Sequence, residues 1–158
     1  MLNDRAVIAP PPIEELRAAE PAGWTAADVM TAPVITVSIH ETLWAAWTVL
    51  YQSGHRHLVV VDGHQCVGVI DDRRIVLEWP LGALRSSELT IGEVLRRGTV
   101  TVCTTTPVGL VACVMLEDGT DAVPVVDADG RLAGLVTGSD LLALMAYGKP
   151  GPAGQRDA

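Results

Sequence analysis

An internal repeat constrains this chain more than any other feature. Thr25-Ala26-Ala27-Asp28-Val29-Met30 aligns with Thr90-Ile91-Gly92-Glu93-Val94-Leu95 at an offset of 65 residues. The same offset places Thr36-Val37 on Thr101-Val102, Gly54 on Gly119 and Val60-Val61-Asp62 on Val125-Val126-Asp127, with nine identities over the 38 positions from 25 to 62. A one-residue adjustment in a turn then brings Gly68-Val69-Ile70 onto Gly134-Leu135-Val136. Self-similarity at a fixed period marks a duplicated structural unit, and this settles the architecture before any motif is read.

Both copies read alike. Thr25 with Asp28, and Thr90 with Glu93, have the Thr-x-x-acid spacing of a capping box at a helix start. Short β-branched strands follow over 34–37 and 100–102. Helices are expected over 41–53 and 107–118, each stopped by a glycine able to take the left-handed conformation. Two strands joined by a tight polar turn come next, over 58–70 in the first copy and 123–136 in the second. Closing helices span 72–77 and 139–147. The expected fold class is α/β (α+β): two β-α-β-β-α repeats, over residues 24–82 and 89–147, packed as a pseudo-two-fold pair. Residues 1–23 form an N-terminal extension with a short helical piece over 13–20. Residues 148–158, rich in Gly and Pro, form a flexible tail.

Composition narrows the function. Nearly half of the 158 residues are hydrophobic (49%), which excludes a disordered chain. Eleven Lys and Arg against 19 Asp and Glu leave a net charge of −8, the wrong sign for neutralising phosphate backbones, so no nucleic-acid partner is expected. The N-terminal apolar run Ala6–Ala9 is too short for a signal peptide and ends in three prolines. Gly98 to Leu116 carries no charge, but Thr-rich strand material fills its first half and Pro107 divides it, so it reads as a buried segment rather than a membrane span. A cytoplasmic protein with reduced thiols is expected. Its three cysteines, Cys66, Cys103 and Cys113, lack the spacing of a zinc ribbon or a disulfide framework.

The helices over 41–53 and 107–118 are apolar on nearly every face, where a surface helix should show a polar one. This predicts that they pack against a second copy of the chain in a two-fold homodimer.

The runs Arg56-His57-Leu58-Val59-Val60-Val61-Asp62 and Ala122-Val123-Pro124-Val125-Val126-Asp127, with Leu135-Val136-Thr137-Gly138-Ser139-Asp140-Leu141, resemble tandem CBS domains, modules named after cystathionine β-synthase. The resemblance covers roughly residues 24–147. It implies a two-repeat module dimerising into a disc, with an adenine nucleotide such as AMP, ADP or ATP bound between repeats. The family's ligand signature, an apolar strand ending in Thr or Ser with Asp three residues on, is present as Thr137-Gly138-Ser139-Asp140. Its chemistry is intelligible without the family. A hydroxyl and amide groups at a helix N-terminus suit a phosphate, and an ionised carboxylate accepts from ribose hydroxyls. The same four residues also suffice as a plain helix cap. By resemblance, the adenine lies against Thr101-Val102 and Ala122-Val123-Pro124.

The first repeat departs from this signature, with Asp71 in place of the Thr and Arg74 in place of the Asp. Asp71 would repel a phosphate, and a guanidinium accepts no hydrogen bond. The first site is then either inactive or lends Arg73 and Arg74 to phosphates held by the second. His55, His57, His64 and Cys66 are zinc-ligand types within 12 residues, but His57 and Cys66 stand on two strands of one hairpin, and the histidines read as structural. Cys103 and Cys113 lie in apolar sequence, where thiols are inert. With no nucleophile-base pair or phosphate loop, the expected function is a non-catalytic regulatory module that senses an adenine nucleotide and signals to an effector protein. A ligand-free scaffold and a metal or redox sensor are the alternatives. No obligatory cofactor or metal is expected.

Overall fold

The computed structural model describes residues 23–78, 89–95 and 99–148. The expected helix over 13–20, the residues joining the repeats and most of the tail lie outside this set. Twelve elements follow in order: α1 (Ala26–Val29), β1 (Thr36–Ser38), α2 (Leu43–Ser53), β2 (His57–Asp62), β3 (Gln65–Asp71), α3 (Asp72–Glu78), α4 (Ile91–Val94), β4 (Val102–Cys103), α5 (Val108–Asp118), β5 (Ala122–Val126), β6 (Leu132–Thr137) and α6 (Gly138–Tyr147).

Each repeat builds one mixed three-stranded sheet, ordered β1-β2-β3 and β4-β5-β6. The outer strand runs parallel to the middle one because a helical crossover, α2 or α5, joins them. The other pair is an antiparallel hairpin, with His57 opposite Asp71 and Ala122 opposite Thr137. The leading strands are shorter than expected. Val34 and Ile35 precede β1, although the Ile35 carbonyl still accepts from the Val59 N–H at 3.1 Å. α2 begins at Leu43 because Thr42 is its cap, its hydroxyl accepting from the Ala45 N–H at 3.1 Å. Gly54 and Gly119 close α2 and α5 in the left-handed region, at φ 67° and 62°, as the repeat predicts.

The two cores are not those of two separate repeats. α1 opens the first repeat, yet Ala26 and Val29 pack in the second repeat's core beside Val102, Val111 and Val136. α4 opens the second repeat, yet Ile91 and Val94 pack in the first repeat's core beside Leu43, Leu58 and Ile75. Backbone bonds fix this exchange. Ala26 N–H donates to the Thr106 carbonyl at 2.8 Å, and Ile91 N–H donates to the Glu41 carbonyl at 2.8 Å. Ile91 is fully buried, and burying such a side chain contributes about 1.5–3 kcal/mol. A third cluster of Val59, Ala122 and Leu135 lies where the two repeats meet.

Glycine makes the crossing possible. Gly68 and Gly134 are repeat equivalents, and each lies beneath the exchanged segment. A Cβ at Gly134 would stand 2.5 Å from Met30 Sδ and 3.0 Å from the Thr31 carbonyl oxygen. At Gly68 it would stand 2.8 Å from Leu95 Cδ1.

The crossover helices are not uniformly accessible. Leu50 and Met115 face the protomer's own core, whereas Tyr51 is 80% and Leu116 is 62% exposed. Leu110 is also exposed. Among the described residues, no helix is long and apolar enough to cross a membrane.

Candidate functional site

β6 delivers Thr137 to the start of α6, where a full capping box forms. The Thr137 N–H and Oγ1–H both donate to Asp140 Oδ2 at 2.7 Å. Asp140 Oδ1 has no protein hydrogen bond among the described residues and is left to accept from outside. Gly138 is less available than the sequence suggests, since its N–H donates to the Asp121 carbonyl at 2.8 Å. The hydroxyl and amide of the adjoining Ser139 are the remaining donors for an anion at this turn. The same box recurs at Thr25/Asp28 and Thr90/Glu93. In both, the bonds from the threonine hold the carboxyl below its ordinary range.

The other residues expected to hold the base are mostly interior. Val102, Val123 and Pro124 are buried within the β4–β5 layer, Ala122 is buried where the repeats meet and borders the cleft, and Thr101 alone of this set is exposed. The side chains of Val102, Val123 and Pro124 therefore present little surface on which a base could stack.

The first repeat's turn behaves differently. Asp71 takes over the cap itself, its Oδ1 accepting from the Arg74 N–H. Arg74 turns away, donating to the Val94 carbonyl at 3.0 Å and pairing with Glu78 at 2.9 Å. It thus ties α3 to the exchanged helix α4, while its Nε lacks a hydrogen-bond partner among the described residues. Arg73 reaches across to the second repeat, with its NH2 group 3.1 Å from Asp121 Oδ2. This turn forms one wall of an inter-repeat cleft of about 750 Å³. Asp71, Arg73 and Val69 line one side, and Val100, Thr120 and Asp121 the other. A cleft therefore joins the signature turn of one repeat to the pre-strand segment of the other.

His57 supplies a further cross-repeat contact, its Nε2 standing 2.9 Å from Asp121 Oδ1. Partial burial pushes the Asp121 carboxyl up, but the His57 hydrogen bond and the charges of His57 and Arg73 outweigh it, so the carboxyl lies below its usual range. Asp121 was not legible as a site residue, because its partners lie on the other repeat.

The histidine and cysteine set near 55–66 does not converge. Cys66 pairs with Val61 at one end of the β2–β3 hairpin and His57 with Asp71 at the other. Burial pushes the Cys66 thiol up, against the bond from the Gly68 amide, so it stays protonated at neutral pH. Cys113 is buried, but Cys103 is exposed, contrary to the apolar setting its neighbours suggested.

The family model for the CBS domain matches residues 26–79 and 91–147, and the chain belongs to that family. It is 32% identical over 118 residues to hypoxic response protein 1 of Mycobacterium tuberculosis, covering 74% of this chain and 82% of that protein. It matches the CBS domain pair of protein MJ0100, solved in complex with 5-methylthioadenosine and S-adenosyl-L-methionine, with TM-score 0.68 and 30% identity, covering 80% of this chain and 98% of that one. CBSX2, solved in complex with AMP, matches with TM-score 0.66 and 27% identity, covering 80% and 100%. Several other curated relatives are much longer. The chain spans 22% of L-aspartate semialdehyde sulfurtransferase of Methanocaldococcus jannaschii, at 32% identity over 74% of this chain.

Proposed function

We propose that the chain is a non-catalytic regulatory module of the cytoplasm that binds an adenine nucleotide between its repeats and passes the change to an effector protein. The observation that carries this reading is the part-buried Thr137–Asp140 turn with Asp140 Oδ1 left to accept. Two relatives of the same fold were solved with adenosyl ligands. In this reading Asp140 Oδ1 accepts from the ribose and Ser139 donates to a phosphate. The cleft of the first repeat pairs its turn with the other repeat. By the repeat offset, Thr137–Asp140 then works against Val34, Ile35, Arg56 and His57, and Arg56 brings a positive charge to the phosphate side. Asp71 and Asp118 leave the first cleft rich in carboxylates, so one nucleotide per chain is the expected stoichiometry. Exposed Tyr51, Leu110 and Leu116 favour a two-fold homodimer through α2 and α5.

Calorimetric titration with AMP, ADP, ATP and S-adenosylmethionine tests the reading. Saturation by one of them at one site per chain supports it. A nucleotide at about 100 times its Kd also adds about 2.7 kcal/mol of stability. Failure of all four to bind leaves the scaffold reading in its place.

A further inference from the structure

Three potential ligands for a metal ion converge where the repeats touch. One ring nitrogen of His57 and one carboxylate oxygen from each of Asp71 and Asp121 all lie within 4.8 Å of one another, and His57 Nε2 is the nitrogen that faces Asp121. We propose that His57, Asp71 and Asp121 form a divalent metal site that links the two repeats, sharing only His57 with the cleft proposed for the nucleotide.

The positions are fixed by backbone rather than by flexible chains. His57 and Asp71 are direct partners in the antiparallel β2–β3 ladder, so their side chains leave the same face of the hairpin. Asp121 directly precedes β5, and its carbonyl is held by the Gly138 N–H. The His57 side chain is only 10% exposed. An ion bound about 2.0–2.2 Å from each ligand needs its ligand atoms about 3.0–3.4 Å apart, so His57 and Asp121, now at 2.9 Å, part slightly while the wider separations close by up to about 1.5–2 Å.

The surrounding bonds already orient the ligands. One oxygen of Asp71 is held by the Arg74 N–H and one oxygen of Asp121 by Arg73. Each carboxylate keeps its other oxygen for a metal, the arrangement by which outer partners set ligand geometry. His57 gives up its hydrogen bond to Asp121 and donates the Nε2 lone pair, which requires the Nδ1–H tautomer. Asp71 and Asp121 also line the inter-repeat cleft, so the remaining coordination positions open towards water. One imidazole and two carboxylates suit a first-row ion such as Zn²⁺ or Mn²⁺ better than Mg²⁺, which favours oxygen ligands alone. The site also gives a physical reason for Asp71, the residue that departs from the ligand signature.

Chelator-treated full-length chain is titrated calorimetrically with Zn²⁺ alone and with Mn²⁺ alone. The variants are His57→Gln, Asp71→Asn, Asp121→Asn, and a His64→Gln/Cys66→Ser control. The expected result is one ion per chain for at least one of the two metals. Its affinity falls at least tenfold in every folded variant of the three, and is unchanged in the control. The two Asp→Asn changes preserve shape, so the test stands if the His57 variant does not fold, as judged by circular dichroism. Failure of both ions to bind, or binding that survives any of the three substitutions or weakens in the control, overturns the site.

Discussion

His57 Nε2 and Asp121 Oδ1 stand 2.9 Å apart across the repeat interface, although the two residues are 64 positions apart in sequence. Asp121 Oδ2 is shared with Arg73, so a single carboxylate gathers two groups of the other repeat.

This carboxylate makes stability depend on pH. Its folded-state value lies below that of the unfolded chain, so its contribution is present above the ordinary carboxylate range and lost as pH falls through the folded value. The side chain is 42% exposed, and solvent screening holds the effect to about 1 kcal/mol or less. Urea midpoints of the parent and Asp121→Asn should differ at pH 7, with the parent more stable. The gap should close below about pH 4. A gap that widens on acidification would contradict the assignment.

Gly134→Ala should destabilise the chain by about 1–3 kcal/mol, because the new methyl meets both Met30 and the Thr31 carbonyl. Gly68→Ala acts in the same direction but less, since its nearest atoms are the mobile methyls of Leu95. Gly109, in the first turn of α5, has nothing within 4 Å of a built Cβ. Gly109→Ala should therefore raise stability, by up to about 1 kcal/mol. Thermal unfolding of the three variants orders them.

Capping and ligand binding can be separated at Asp140. Asp28→Ala, Glu93→Ala and Asp140→Ala each break a capping box and should all lower the melting temperature. For Asp140 the loss is about 1 kcal/mol. Only Asp140→Ala should also weaken nucleotide binding, by roughly tenfold or more. Arg74→Ala should lower stability by freeing the Val94 carbonyl while leaving nucleotide affinity unchanged. Calorimetry on the four variants would refute the role of Asp140 if its affinity matched that of Asp28→Ala.

The homodimer is tested at Tyr51 and Leu116, which are repeat equivalents and exposed. Tyr51→Glu with Leu116→Glu should sediment as a folded monomer. Leu50→Glu or Met115→Glu should instead unfold the protomer, because each puts an unpaired charge into the chain's own core at a cost of several kcal/mol. A double variant at 51 and 116 that remained dimeric would place the interface elsewhere.

Much of this molecule is legible in the residues. The 65-residue offset gives the element order, the glycine stops at 54 and 119, and the capping boxes. The exchange of α1 and α4 is not legible, because Ala26-Val29 and Ile91-Val94 offer the same small apolar face and either core accepts either helix. The backbone bonds of Ala26 to Thr106 and of Ile91 to Glu41, with the close approach of Met30 to Gly134 and of Leu95 to Gly68, show which repeat each covers. Asp121 lies outside the signature and acquires its partners only in three dimensions. Val102, Val123 and Pro124 fit a binding pattern as sequence, but their strand positions bury them.

The exchanged helices also bear on how the two halves depend on each other. Each repeat's core is closed by the opening helix of the other, so neither half is complete without its partner. Two separate half-chains that kept this exchange would have to meet before either core was covered, and their assembly would depend on concentration. Joined in one chain, the same step is intramolecular, at an effective concentration set by the connecting segment.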